Sequence, residues 1–490
     1  EFRRVLFRSG DVDLSVLRIT ELPAGEKPRQ TDTAWALQAG EARVVAPGGR
    51  PAVQLDLTLS HESIEARFHL QAFPGTPVLR QWAELENKGT QAARLKSPAS
   101  ALLRLRGDTA TAYTRYWMIG GNSQRDQGQM HSEPVKATYH ASLPGTATLN
   151  FVPWTALQRR DGPRDGLYLT LDYLGQWSMN ADREDPGALT LNALIGELAG
   201  RSLRPGEQIE LPPVVLGVFQ GDLDNMARWL YDWQYEYLWD YTNDEWYGLM
   251  QFTSAWWADS RNLQEQFAGR LAYLNMDWAE YVREAGLDVI WDDAGWAANP
   301  DIWACNREGP DHAQTVRFVT KAGLKWTLWF PSDPTSGIMD TKVGAWGNFQ
   351  WRTDAMGFDF KSDKAFREEV RRFLELHPRC SWQTCSGGST YSHTFDIQRL
   401  GDVHYDTDGP GSDITSYYFS YLETPDKWFD NLATWGGGGV VYRPETGRRM
   451  LSMVPKWGLY ISSEQIVQLR LIADLYRYLV REGVAGRWSY

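Results

Sequence analysis

Three adjoining segments decide the fold: "LDVIWDDAGW" (287–296), "DHAQTVRFVTKAG" (311–323) and "LKWTLWFPSD" (324–333). The first and third are short apolar runs rich in β-branched and aromatic residues, closed by acids with glycine or proline, and they read as strands. The middle one carries its apolar residues at helical spacing and ends on a glycine, as helices commonly do. Strand, helix, strand in succession means a crossover connection, and crossovers join parallel strands.

The alternation continues on both sides. "YGLMQFTSAWW" (247–257) reads as a strand, and "FAGRLAYLNMDWAEYVREAG" (267–286) contains helix. "GFDFKSD" (357–363) reads as a short strand leading into the helix "KAFREEVRRFLELHP" (364–378). "CSWQTCSGG" (380–388) and "GDVHYDTDG" (401–409) read as strands running into loops, and "GGVVYRP" (438–444) is a further strand candidate. "SSEQIVQLRLIADLYRYLVREG" (462–483) is an amphipathic helix. This many β–α units in residues 246–490 predict a (β/α)8 TIM-type barrel. An open doubly wound sheet comes second, weakened by the lack of a GxGxxG or P-loop sequence.

Residues 11–221 read differently. "AVQLDLTLS", "IEARFHLQAF" and "VLRQWAELEN" alternate with period two, separated by turns such as "PGGRP" and "NKGTQ". Many strands with little helix predict an N-terminal β-sandwich. "DLDNMARWLYDWQYEYLW" then has helical spacing, with Asp222 or Asp224 as its cap, so 222–245 is expected to be a linker helix.

A chain of 490 residues is too long for one ordinary core, which agrees with two domains. The 24 Trp, 22 Tyr and 18 Phe suit stacking on sugar rings, and large β-rich cores would account for them equally well. A net charge of −12 with no basic run argues against nucleic acid as a partner. No apolar run reaches the roughly 20 residues of a bilayer span. The three cysteines form no C-x-x-C pair, and the odd count favours a reducing, cytoplasmic setting over a disulfide framework. "EFRRVLFRSG" has no signal-peptide character, reads as a fragment or assembly scar, and is set aside.

Polar residues at the C-terminal ends of barrel strands are where such folds do chemistry. One strand ends in Asp292 and Asp293 before Trp296, and another in Trp329 ahead of Asp333. A third carries Lys361 and Asp363, a fourth Cys385 and Gly388, and a fifth His404, Asp406 and Asp408. Several carboxylates beside tryptophans suit glycoside hydrolysis, which needs one acid to protonate the leaving oxygen and another to attack or activate water. Each has a structural alternative. "DD" before glycine makes a turn, "KSD" makes a helix cap, "CSGG" a tight turn, and "DTD" a polar loop or a metal-dependent glycosyltransferase site.

Taken together, these segments resemble glycoside hydrolase family 36, the α-galactosidase and raffinose-synthase group. Its D-D-G-W strand end is similar to Asp292-Asp293-Ala294-Gly295-Trp296, with one alanine inserted. Its G-L-K-x-x-L-W-F matches "GLKWTLWF" (323–330), although Pro331-Ser332-Asp333-Pro334 stands where the family has Glu-Pro-Glu. Its Cys-Ser-Ser-Gly-Gly is similar to the run ending at Gly388, with one serine fewer. The family's acid/base aspartate follows 18 residues later, which here is Asp406, with Asp408 as its rival. The resemblance implies that Asp292 and Asp293 grip the sugar's 4- and 6-hydroxyls, that Trp296 and Trp329 wall the sugar, and that Cys385 and Gly388 lie near its 2-position.

The family's nucleophile sits in Lys-Trp-Asp at the end of the fourth strand, and Lys361-Ser362-Asp363 is the expected counterpart. A second alignment makes "FDFKSDKAFREEVRRFL" the opening of a helix and Asp363 its cap. The glycine-bearing text between Asp333 and Asp363 shows little helical periodicity. The implied activity is a retaining α-glycosidase acting on an oligosaccharide or glycoconjugate, foremost an α-galactosidase, without metal or cofactor. The alternatives are an α-N-acetylgalactosaminidase, a transglycosylase, or a non-catalytic carbohydrate-binding relative. "STYSHTFDIQR" departs from the family's Gly-Arg-Phe-Asp, and His393 and Arg399 there are candidate substrate contacts. The family's C-terminal β-domain is expected to lie beyond this sequence, and homo-oligomers are common in the family.

Overall fold

The computed structural model describes residues 12–13, 19–20 and, with short breaks, 35–238. It then describes 246, 249, 251–254, most of 264–292, and 312–331, 338–354 and 360–384. Beyond these it describes Phe395, Leu422, residues 403–404, 429–431 and 454–457, and most of 470–482.

The N-terminal half is antiparallel. A nine-stranded sheet runs, in spatial order, through 130–134, 113–119, 151–159, 165–171, 208–220, 78–87, 64–72, 52–61 and 36–45. A five-stranded sheet of 12–13, 99–106, 188–195, 176–183 and 139–146 faces it. Period-two alternation explains the packing. Ala66, Phe68, Ala83 and Leu85 of the large sheet share one buried cluster with Leu103, Met179, Ala181 and Leu191 of the small one. The expected sandwich is therefore present.

Alternation lapses where the large sheet is covered on both faces. Residues 152–157 are all buried, as are 211–217. Their outer face carries Trp154, Tyr168, Val215 and Phe219 against helix α1, Leu223–Trp233, and the π-turn that follows it. Asp222 caps α1 by accepting from the Asn225 backbone N–H at 3.2 Å. Phe395 and Leu422, from the C-terminal half, join the same cluster.

The outer face also holds a polar patch. Burial pushes the Asp56 carboxyl up, but hydrogen bonds from His69, Gln54 and Arg43 outweigh it and hold the group down at about 2. A depressed carboxyl stabilises the fold above its unfolded value of 3.8, and this is lost as pH falls through about 2. Asp56→Asn is therefore expected to lower the melting temperature at pH 7, with the gap from wild type closing between pH 4 and 2. A gap constant down to pH 2 would refute the charge-based account.

The C-terminal half is a parallel sheet. Its strands are β1 Gln251–Ser254, β2 Val289–Asp292, β3 Lys325–Pro331, β4 Gln350–Asp354, β5 Ser381–Thr384, β6 Val403–His404, β7 Phe429–Asn431 and β8 Val454–Trp457. Their order is β6-β5-β4-β3-β2-β1-β8-β7, and every pair is parallel. Consecutive strands are thus neighbours from β1 to β6, with β8 and β7 added beside β1. Helices α2 Ala268–Leu274, α3 Trp278–Glu284, α4 His312–Ala322, α5 Ile338–Trp346 and α6 Phe360–Leu376 lie between the early strands. The described residues of 470–481 are helical as well.

Two local readings are corrected. The text before Asp363 contains helix α5 and strand β4, where little regular structure was expected. Residues 360–363 are the first turn of α6 rather than a strand end. The reason is the buried stripe Asp363, Phe366, Arg367, Val370 and Phe373, which has helical spacing from Asp363 onward. Among the described residues the late strands are Phe429–Asn431 and Val454–Trp457; the strand candidate "GGVVYRP" lies outside the described residues.

Candidate active site

Strand register shows which residues share the C-terminal edge of the parallel sheet. Ser254 pairs with Asp292, and Asp292 with Leu328. Pro331 pairs with Asp354, Thr353 with Thr384, and Thr384 with His404. Six neighbouring strands thus end in Ser254, Asp292, Pro331, Asp354, Thr384 and His404, with the Asp292 end three residues lower along β3 than the Asp354 end. Two of these ends are aspartates, Asp292 and Asp354.

The middle of the sheet fixes the two faces. Thr327 Oγ1 donates to Gln350 Oε1 at 2.9 Å, and Gln350 Nε2 donates to Ser381 Oγ at 3.0 Å, all three residues being buried. These side chains therefore stand on one face of β3, β4 and β5. The intervening Leu328, Trp351 and Trp382 stand on the other, packed in the apolar cluster with Phe366 and Phe373 of α6. On β4 the polar face then continues from Gln350 to position 352, an arginine 2% exposed. Trp329 and Arg352 are register partners on that face, and Trp329 is 3% exposed.

Asp363 sits elsewhere. It lies in the first turn of α6 and is 2% exposed. One carboxylate oxygen accepts from the Leu174 backbone N–H at 3.3 Å, and the other from Arg367 one turn on. Arg367 also donates to the Asp172 carbonyl at 3.4 Å and lies 3.9 Å from the Asp172 carboxylate. Asp363 is thus engaged at the junction with the sandwich, and its place in the fold is the helix-opening one. Lys361, expected beside it at a strand end, is exposed on the first turn of the same helix.

Asp292 is where the sequence put it, at the end of β2. Asp293, Trp296, Cys385, Gly388, His393, Arg399, Asp406 and Asp408 lie outside the described residues, as do Ser332 and Asp333. The strand-end acid that the sequence reading missed is Asp354. A signal for it was present. Arg352-Thr353-Asp354 places a cation two residues before an acid, the spacing of the family's Lys-Trp-Asp.

No family model and no curated protein matches this sequence. Solved structures do match. A variant of the α-galactosidase AgaA from Geobacillus stearothermophilus, in complex with 1-deoxygalactonojirimycin, superposes at a TM-score of 0.77 with 13% identity, covering 95% of this chain and 76% of that one. The α-galactosidase of Lactobacillus brevis gives 0.74 at 12%, covering 95% and 73%. The galactosidase domain of an α-galactosidase–sucrose kinase gives 0.74 at 14%, covering 91% and 72%. At such identities the likeness concerns the fold. No described helix is long and apolar enough to cross a membrane. The chain therefore has the fold of the family 36 α-galactosidases along nearly its whole length.

Proposed function

We propose that this protein is a retaining α-glycosidase acting on terminal α-D-galactosides of oligosaccharides or glycoconjugates, with residues 246–490 closing into a (β/α)8 barrel between β6 and β7. The observation that carries the reading is Asp354. It ends β4, the fourth strand of the parallel sheet, two residues beyond the buried Arg352. Asp292 ends β2, two strands away, level with Leu328, while Asp354 is level with Pro331. Asp354 takes the nucleophile's role in preference to Asp363, whose carboxylate is already bonded to Leu174 and Arg367.

The chemistry follows from two carboxyl groups. The Asp354 carboxylate attacks the anomeric carbon while Asp406, as an acid, protonates the departing glycosidic oxygen. The C–O bond to the leaving group breaks and an ester to Asp354 forms. Water, deprotonated by Asp406, then cleaves the ester and restores the original anomeric configuration. This requires the two carboxyls to stand about 5–5.5 Å apart. Asp292 and Asp293 bind the sugar hydroxyls as charged acceptors. An epimer with one hydroxyl misplaced would leave a buried charge without its donor, which is a strong basis for discrimination. Trp296 and Trp329 bound the sugar, Cys385 and Gly388 lie near its 2-position, and Asp408 supports Asp406.

The test is hydrolysis of an aryl α-D-galactoside followed by proton NMR. The expected first product is α-galactose, before mutarotation. Release of the β-anomer would refute retention. No turnover of galactosides bearing either a 2-hydroxyl or a 2-acetamido group, together with measurable galactose binding, would make the protein a carbohydrate-binding relative instead.

A further inference from the structure

The proposed nucleophile strand and the β-sandwich meet at one buried point. Helix α6 opens at Phe360, six residues after Asp354, so its first turn limits where the end of β4 can lie. That first turn is held from the sandwich. Asp363 accepts from the Leu174 N–H, and Arg367 reaches both the carbonyl and the carboxylate of Asp172. Arg80 of the large sheet lies 3.9 Å from the same Asp172 carboxylate, which is 1% exposed. Leu174 itself is buried in the apolar cluster that contains Trp351 of β4.

The sandwich loop that makes these contacts is braced from behind. Asp172 N–H donates to the Pro213 carbonyl at 2.8 Å, and Tyr173 Oη donates to Glu197 at 2.9 Å. Ala147 N–H donates to the Gly175 carbonyl at 3.0 Å. A Cβ on Gly175 would come within 2.2 Å of the Tyr173 hydroxyl, so the loop is tightly packed against its own domain. Substrate chemistry needs none of these residues, and three of them, Asp172, Asp363 and Arg367, carry charge in a buried setting where charge is costly.

We propose that the loop Asp172–Gly175 is a positioning element for catalysis. By clamping Asp363 and Arg367, it fixes the start of α6 and with it the reach of Asp354 towards the anomeric carbon. Asp172, Asp363 and Arg367 are positioning residues, and this inference rests on Asp354 being the nucleophile. A misplacement of about 1 Å in such a group can cost roughly 100-fold in rate.

The experiment compares Asp172→Asn and Arg367→Lys in two backgrounds, with an aryl α-D-galactoside as probe. In the wild-type background each is expected to lower kcat by about 10- to 100-fold with KM little changed. In the Asp354→Gly background, turnover depends on added azide instead of the carboxylate, and the same substitutions should change the azide-dependent rate by less than about twofold. Arg367→Lys keeps the charge, and circular dichroism on each variant shows whether the fold is intact at the assay temperature.

Equal losses in both backgrounds would overturn the proposal, because the loop would then be supporting the whole site. Unchanged kcat in folded single variants would overturn it too. If Asp354→Gly hydrolyses like wild type without azide, the nucleophile assignment fails first and the positioning proposal falls with it, a pattern distinct from the other two.

Discussion

Asp354→Gly is expected to lower aryl α-D-galactoside hydrolysis by on the order of 10⁴-fold or more, and azide is expected to restore part of it. On the proposed mechanism, removing the carboxylate removes the group that forms the covalent intermediate, while the proposed acid, sugar-binding acids and aromatic walls are unchanged. A small anion can enter the space left by the side chain. Azide then attacks the anomeric carbon, the aryl oxygen leaves with the bonding pair, and the product is β-galactosyl azide. Asp363→Asn makes the control. Its carboxylate bonds Leu174 and Arg367, so its loss should lower stability and reduce rate only moderately, with no azide effect. The reverse pattern, with azide rescue at Asp363→Gly and none at Asp354→Gly, would return the nucleophile to Asp363.

The contrast between these two aspartates also shows how far the sequence was legible. The sandwich strands were clear because residues such as those of 78–87 alternate over ten positions with one face buried. The β2–α4–β3 unit was clear because its strands are apolar and its helix is periodic. Strand β4 was opaque. It has only five residues, and its alternate positions hold the polar Gln350, Arg352 and Asp354, which reads as loop. The buried Gln350 is tolerated because Thr327 and Ser381 satisfy it. Such pairings depend on register across three strands, and no local pattern encodes register. Helix α5 was hidden for a related reason. It is nine residues long, with Gly344 inside it, and its stability comes from packing rather than propensity.

Lys361-Ser362-Asp363 is the opposite case, because its local pattern suits two places in the fold. Lys361-Ser362-Asp363 imitates the family's Lys-Trp-Asp, and a helix follows it into β5 as the alignment requires. An acid in the first turn of a helix is favoured by the exposed N–H groups and the dipole, so the same three letters suit a helix start equally well. Burial decides between the two. A carboxylate 2% exposed, with partners on two sides and one of them in another domain, is fixed by structure.

That setting makes the second large prediction. Arg367→Met should destabilise the protein by about 3–5 kcal/mol, because it leaves the Asp363 carboxylate buried with its charge partner gone. Asp363→Leu should cost a similar amount through the stranded guanidinium and the Leu174 N–H. The double variant Asp363→Leu/Arg367→Met removes both charges together, and apolar replacements of a buried ion pair are often neutral or better. It should therefore be more stable than either single variant, with a coupling of about 1–3 kcal/mol between the two sites. Full recovery is not expected, since the Leu174 N–H and the Asp172 carbonyl each lose a partner at about 1–3 kcal/mol. Denaturant unfolding of the four proteins measures the cycle, and losses that simply add would show the pair to be energetically idle. The same double variant separates two roles of the junction. If charge pairing serves stability alone, rate returns with stability. If it also positions Asp354 through α6, the recovered protein stays slow, because greasy contacts restore packing but not the directed bonds from Leu174 and Asp172 that set where the helix begins.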